Sequence, residues 1–183
     1  MRIVAGAWRG RRLIAPTGTT TRPTSDRARQ ALFDMLLHAP WGGRAVIEGA
    51  RVLDLFAGTG AMGLEALSRG AAHAWFVERD RAALAALHAN IAACGAETRS
   101  DVAAVDALRL PSGPACDVIF LDPPYAAGLI GPAIDTARVA GRVTAGALIV
   151  AESARDERFP GEPESPLVVR AHGASRITIW RDG

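Results

Sequence analysis

The sequence predicts an α/β protein, a mostly parallel sheet with helices on both faces, preceded by a short basic arm. Two observations carry this prediction. From residue 51 onward, short apolar stretches alternate with alanine- and leucine-rich stretches of helical spacing, the order that builds a parallel sheet covered on each side. Of the 183 residues 49% are hydrophobic, enough to bury a sizeable core in one domain with an appendage. The expected division is an arm and loop at residues 1–23 and a single domain at residues 24–183.

Taken in order, RIVAGAWRGRRLIA reads as two short strands about a Trp8-Arg9-Gly10 turn, with isoleucine, valine and leucine available for packing. A loop of Pro, Thr and Gly follows. TSDRARQALFDML then starts a helix that Thr24 or Ser25 can cap, with Asp26 at the positive end of its dipole. Ala28, Ala31, Leu32, Met35 and Leu36 fall on one stripe, predicted to face the core while Arg27 and Arg29 point elsewhere. RVLDLF is the first strand of the alternating region. AMGLEALSR is a helix closed by Gly70, AWFVE a strand, and DRAALAALHANIAAC a helix closed by Gly95. DVAAV and CDVIFLD are strands, a helix lies somewhere in 129–140, and ALIVAES is a strand. After the biased segment ERFPGEPESP, PLVVRA and SRITIW flank HGA as a terminal antiparallel hairpin.

Several function classes are excluded early. No run of about 18 apolar residues exists for a membrane span, and MRIVAGAWRGRR lacks the apolar block and cleavage site of a signal peptide, so a cytoplasmic protein without a membrane partner is expected. Cys94 and Cys116 lie far apart with no CxxC pair and read as small buried hydrophobes. His38, His73, His88 and His172 show no metal-ligand spacing, and no metal is expected.

The net charge of +2 conceals an asymmetry. The first 29 residues hold Arg2, Arg9, Arg11, Arg12, Arg22, Arg27 and Arg29 against Asp26 alone, a surplus of six, which leaves the remainder negative by four. Every basic residue is an arginine, as biased genome composition would produce, but bias does not explain the clustering. A solvated basic surface is one reading; a phosphate-binding footprint is the other and fits the clustering better. On that reading Arg2, Arg9, Arg11, Arg12, Arg27 and Arg29 contact RNA. Trp8 can stack on a base or pack beneath the hairpin.

LDLFAGTGAMG follows the first strand of the alternating region. Gly58, Gly60 and Gly63 match G-x-G-x-x-G, and Glu78 stands at the end of the next strand, 20 residues beyond Gly58, as in a dinucleotide site. The pattern alone is ambiguous. Asp54 tips it, because a carboxylate in that crevice repels a pyrophosphate and attracts a ligand with an ammonium and a sulfonium group. S-adenosylmethionine is such a ligand: its ribose would go to Glu78, its amino group towards Asp54 and its adenine edge towards Asp106. Gly63 has a second reading as a helix-packing glycine, and Asp106 as a helix cap.

FLDPPY ends a buried strand on Asp122 and stiffens the next two positions. Pro123 and Pro124 fix φ and carry no N–H, so their carbonyls point in set directions. Asp122 and the Pro123 carbonyl can accept both hydrogens of a nucleobase amine, and Tyr125 offers a face for the base to stack on. The plainer reading is a strand-ending turn with a buried tyrosine.

RIVAGAWRGRRL, RPTSDRARQALFDML, VLDLFAGTGAMGLEALSRGA, FVERD and FLDPPY, in that order, resemble the RsmD-type 16S ribosomal RNA guanine-N2 methyltransferases over nearly the whole chain. The resemblance implies a class I methyltransferase sheet of seven strands and S-adenosylmethionine as donor. The implied acceptor is the 2-amino group of one guanine in 16S rRNA, within the small ribosomal subunit or its assembly intermediate. By position it also implies Phe56, with Asp54, Gly58, Gly60, Glu78, Asp106 and Asp122, as the donor shell, Arg22 and Thr24 near the donor's methionine end, and Asp122 to Tyr125 as the catalytic loop. Gln30 departs from the glutamate common in that family. A monomer is expected. The alternatives are an amino-methyltransferase acting on DNA adenine or another RNA, an NAD(P)-dependent oxidoreductase, and an RNA-binding protein without activity.

Overall fold

The computed structural model describes residues 1–16, 26–124 and 127–183. Seven strands form one sheet, β1 (Arg51–Leu55), β2 (His73–Val77), β3 (Ser100–Ala103), β4 (Cys116–Leu121), β5 (Val143–Ala154), β6 (Val168–His172) and β7 (Ser175–Arg181), in the order β3-β2-β1-β4-β5-β7-β6. The first five run parallel. β7 inserts antiparallel between β5 and β6, so the terminal hairpin contributes its second strand to the sheet interior and its first to the edge.

Side-chain alternation along the strands divides the core in two. Val52, Phe76, Val118, Phe120 and Val150 face one side, where they meet α1 (Asp26–His38), α2 (Ala61–Ser68) and α3 (Arg81–Cys94) through Phe33, Leu36, Leu64, Leu67, Leu87 and Ile91. Leu53, Leu55, Ile119, Leu121 and Ile149 face the other, under α4 (Ile130–Val139), with Phe159 and Trp180 in tilted contact at 5.8 Å between centroids. α3 closes at Gly95 (φ 62°) as expected, and Asp80, read as the helix's first residue, caps it instead, accepting from the Ala83 amide at 2.8 Å. Cys94 and Cys116 are buried and unpaired with each other.

The basic arm forms a hairpin closed by a single antiparallel bridge, Arg2 with Arg12, and the chain between turns irregularly rather than as two regular strands. Its Ile3 and Leu13 are buried in the first core layer. The arm is therefore packed on the domain along α2.

α1 departs from the expected stripe. Its buried residues are Arg29, Leu32, Phe33 and Leu36, the same 3.6 periodicity rotated by one position. Phe33 reaches Phe120 at 5.7 Å between centroids, while Ala28, Ala31 and Met35 line a shallow hollow with Leu32, Arg170 and Ile177. The rotation follows from Arg29, which is fully buried because Glu65, also fully buried, waits beneath it at 3.6 Å. Thr24 and Ser25, the expected caps, lie outside the described residues.

Candidate active site

The carboxyl ends of β1, β2 and β4 form the rim where open parallel sheets bind ligands. Beyond β1 the chain must turn sharply into α2, and Phe56 does so with φ 63°, the only positive φ among the described non-glycine residues. A side chain in that region stores strain of about 1–3 kcal/mol, and such strain gathers at functional sites. Gly58 (φ 55°) and Gly60 (φ 79°) complete the turn. A Cβ added to Gly58 would meet only the Phe56 carbonyl oxygen at 4.0 Å, so the space beside it is open. Gly63 is different. A Cβ there would stand 2.4 Å from Cε1 of Phe76, so this glycine lets α2 lie against β2 and its role is packing.

Glu78 is anchored at the end of β2. One carboxylate oxygen accepts from the Gly58 amide at 2.8 Å; the other accepts from the Arg79 and Asp80 amides at 2.7 and 2.8 Å. The head group is thus fixed beside the open side of the glycine turn, with one lone-pair site, on the oxygen bound by Gly58, left for a ligand hydroxyl. Asp54, 3% exposed, sits beneath the same turn and accepts from the Gly63 amide at 2.9 Å. Burial pushes its pKa up to about 8, the Gly63 hydrogen bond opposes that rise, and the negative charges of Asp122 and Glu78 add to it. Asp54, Glu78 and Asp122 therefore share one electrostatic neighbourhood.

Asp122 is the first residue beyond β4, with its side chain exposed, while Pro123 is buried and Pro124 exposed. Tyr125, Arg22 and Thr24 lie outside the described residues. Asp106 is a cap: it accepts from the Leu108 amide at 3.0 Å and pairs with Arg79 at 2.6 Å. The Leu108 hydrogen bond, with Arg79 beside it, holds its carboxyl below the usual range.

In the arm, Arg9, Arg11 and Arg12 are exposed. Arg27 on α1 is exposed too, and Arg2 is exposed with a 3.6 Å pair to Asp26. Arg29 corrects the expectation of an RNA contact: it has no exposed surface and binds Asp26 at 3.0 Å and Glu65 at 3.6 Å. Trp8 is partly buried against the core, with the Arg99 guanidinium over its ring at 5.1 Å.

Three anchoring residues escaped the sequence reading. Glu65 accepts from the Val4 and Ala5 amides at 2.8 and 3.0 Å and from Arg69 at 2.7 Å. Ser68 accepts from Trp8 at 3.0 Å and donates to the Ala5 carbonyl at 2.6 Å. Asn90 accepts from the Ile14 amide at 2.7 Å. Their only signal was polarity on the apolar faces of LEALS and ANIAAC, whose partners lie some 60 to 76 residues away.

The rim can hold a cationic ligand: acids beneath and beside a glycine turn, with a further acid, Asp122, one residue past the end of the neighbouring strand β4. A pyrophosphate would meet the negative charges of Glu78 and Asp122, and its approach would hold Asp54 in the neutral form, which disfavours the dinucleotide reading. The chain is similar to Ribosomal RNA small subunit methyltransferase D of Escherichia coli, 40% identical over 97% of this chain and 86% of that one. The solved structure of the Escherichia coli protein yhhF superposes with TM-score 0.82 at 36% identity, covering 99% of this chain and 97% of that one. The Thermus hypothetical protein TTHA0928 gives TM-score 0.76 at 33% identity over 98% of each chain. The family model described as Conserved hypothetical protein 95 matches residues 1–181, and with these relatives it shows that the chain belongs to the family of the ribosomal RNA small subunit methyltransferase D proteins.

Proposed function

We propose that this chain transfers a methyl group from S-adenosylmethionine to the exocyclic 2-amino group of a guanine in the 16S rRNA of the small ribosomal subunit or its assembly intermediate. The observation that carries the reading is the convergence of Asp54, Glu78 and Asp122 on one crevice in a chain whose relatives are named ribosomal RNA small subunit methyltransferases.

The donor supplies an electrophilic methyl carbon on a sulfonium. Glu78, locked by backbone amides, would accept a ribose hydroxyl, while Gly58 admits the donor close to the backbone, Gly60, packed against Leu87, turns the chain into α2 in the donor shell, and Phe56 borders it. Asp54 would answer the ammonium group; Arg22 and Thr24 would lie near the same end. Asp106, occupied as a cap, would offer the adenine its remaining acceptor capacity.

At the acceptor, Asp122 and the Pro123 carbonyl would take hydrogen bonds from the guanine amine, favouring a lone pair directed at the methyl carbon. As the nitrogen–carbon bond forms and the carbon–sulfur bond breaks, the nitrogen becomes positive. Asp122 offsets that charge until a proton is lost to solvent, which reaches this exposed side chain. Tyr125 is assigned the stacking face. Positioning and electrostatics carry the reaction, with no covalent enzyme intermediate.

Arg2, Arg9, Arg11, Arg12 and Arg27 are assigned to the RNA backbone. The arm (1–23) and the catalytic part (24–183) would act together in one cytoplasmic monomer. The test is Asp122→Ala, assayed by methyl transfer to 30S particles from a strain lacking the enzyme, beside calorimetric binding of S-adenosylhomocysteine. Turnover should fall by about 10²–10³ while donor-site binding survives; near-normal turnover refutes the mechanism. An undiminished N2-methylguanosine signal in rRNA nucleosides from that strain would instead point to another amine.

A further inference from the structure

Asn90 lies on the inner face of α3 with no exposed surface, among Leu87, Ile91 and Cys94. An apolar residue would pack there, so a carboxamide calls for a reason. Its hydrogen-bonding capacity is divided between two places. The side-chain oxygen accepts from the Ile14 amide at 2.7 Å, and the amide nitrogen donates to the Ile14 carbonyl at 3.0 Å and to the Thr59 carbonyl at 3.0 Å. Ile14 belongs to the basic arm, and Thr59 stands between the two glycines of the donor turn. One acceptor and two donors match this set, which neither aspartate nor leucine can satisfy.

The first residue of the arm meets the same place: the Thr59 hydroxyl lies 4.0 Å from the Met1 sulfur. Both ends of the hairpin therefore close on the donor turn. Beyond buried Leu13 the Ile14 side chain is 57% exposed, so at this residue the arm is held to the domain through the Asn90 hydrogen bonds. A residue held mainly by hydrogen bonds at the margin of the core opens at lower free energy than the core itself, and whatever orders it is felt by its partners.

We propose that Asn90 is a positioning residue that couples the arm to the donor turn, so that RNA on the arm and ligand in the donor site strengthen one another's binding. The proposal rests on the donor and RNA assignments above. RNA that holds the arginines steadies the arm, Ile14 keeps Asn90 in place, and Asn90 holds the Thr59 carbonyl in the conformation the turn needs. By linkage, ligand in the donor site tightens the arm to the same degree.

The coupling is read by titrating S-adenosylhomocysteine with and without 30S particles from a strain lacking the enzyme. RNA should raise affinity in the wild type by a factor of about 5 or more, within the range typical of coupled sites. In Asn90→Leu, which keeps the volume, S-adenosylhomocysteine and particles should each still bind but with a factor near one. Hydrogen exchange on the unmodified protein gives a second readout: protection of the Ile14 amide should rise when S-adenosylhomocysteine is added without RNA. Binding of both ligands with no mutual effect, an Asn90→Leu factor equal to wild type, or an Ile14 amide indifferent to S-adenosylhomocysteine overturns the coupling and leaves the methyltransferase reading intact. Failure of the wild type to bind S-adenosylhomocysteine overturns both.

Discussion

Asp54 shows how a single residue in this rim is set by competing terms. Burial and the charges of Asp122 and Glu78 raise its pKa to about 8, against the Gly63 hydrogen bond, so at pH 7 the ligand-free protein holds the neutral acid. Because this pKa lies above the ordinary value of 3.8, its contribution to folding is full below about pH 4 and is lost as pH rises through about 8. A donor carrying an ammonium and a sulfonium favours the ionised form, so binding near pH 7 should release a proton and tighten as pH rises towards 8. Calorimetric titration of S-adenosylmethionine in buffers of different ionisation enthalpy measures this directly. Buffer-independent heats for the wild type, or unchanged proton release in Asp54→Asn, would refute the assignment. Gly63 is a simpler case. Gly63→Ala sets a methyl 2.4 Å from the fully buried Phe76 ring and should destabilise the protein by about 1–3 kcal/mol in urea denaturation. The glycine motif was readable from spacing, but its division of labour was not. The positive φ of Phe56 was not readable either, since no local pattern requires a phenylalanine to adopt it.

At the scale of elements, α1 and α2 are joined to the arm by charge as well as by apolar packing. Glu65 is fully buried, accepts from two arm amides and neutralises Arg29 and Arg69. Its removal leaves buried guanidinium charge and orphaned amides, so Glu65→Ala should destabilise the fold by about 3–5 kcal/mol. Arg29→Met should lower stability yet leave the salt dependence of RNA binding unchanged, because this arginine reaches no solvent. A flatter salt dependence in Arg29→Met would return Arg29 to the RNA surface. Strands and helices from residue 51 onward were legible because periodicity and stop residues are local signals: Gly95 closes α3 where expected. The facing of α1 was not legible. Leu32 and Leu36 serve either stripe, and the choice is made by Glu65, a partner 36 positions from Arg29.

Across the whole molecule the arm runs along α2, from the carboxyl ends of the parallel strands towards their amino ends. Its ends meet Thr59 at the start of α2, while Trp8 meets Ser68 at the end of α2 and Arg99 just before β3. Eight residues of helix separate those levels, about 12 Å at the α-helical rise. The exposed tip arginine, Arg9, therefore stands towards the amino ends of the strands, opposite the catalytic rim, and RNA that reaches both must be an extended, folded piece. The charge asymmetry in the sequence announced such an arm; its direction was set by Glu65, Ser68 and Asn90, whose partners no local pattern reveals. Replacing Arg9, Arg11 and Arg12 with glutamine should weaken RNA binding and flatten the slope of log affinity against log salt by about two to three, the release expected for three phosphate contacts. S-adenosylhomocysteine affinity without RNA should not change, since these side chains lie outside the donor rim. A slope equal to the wild type would remove these arginines from the phosphate contacts. A slope that flattens only with full-length rRNA, and not with a short hairpin carrying the target guanine, is what the span between tip and rim requires.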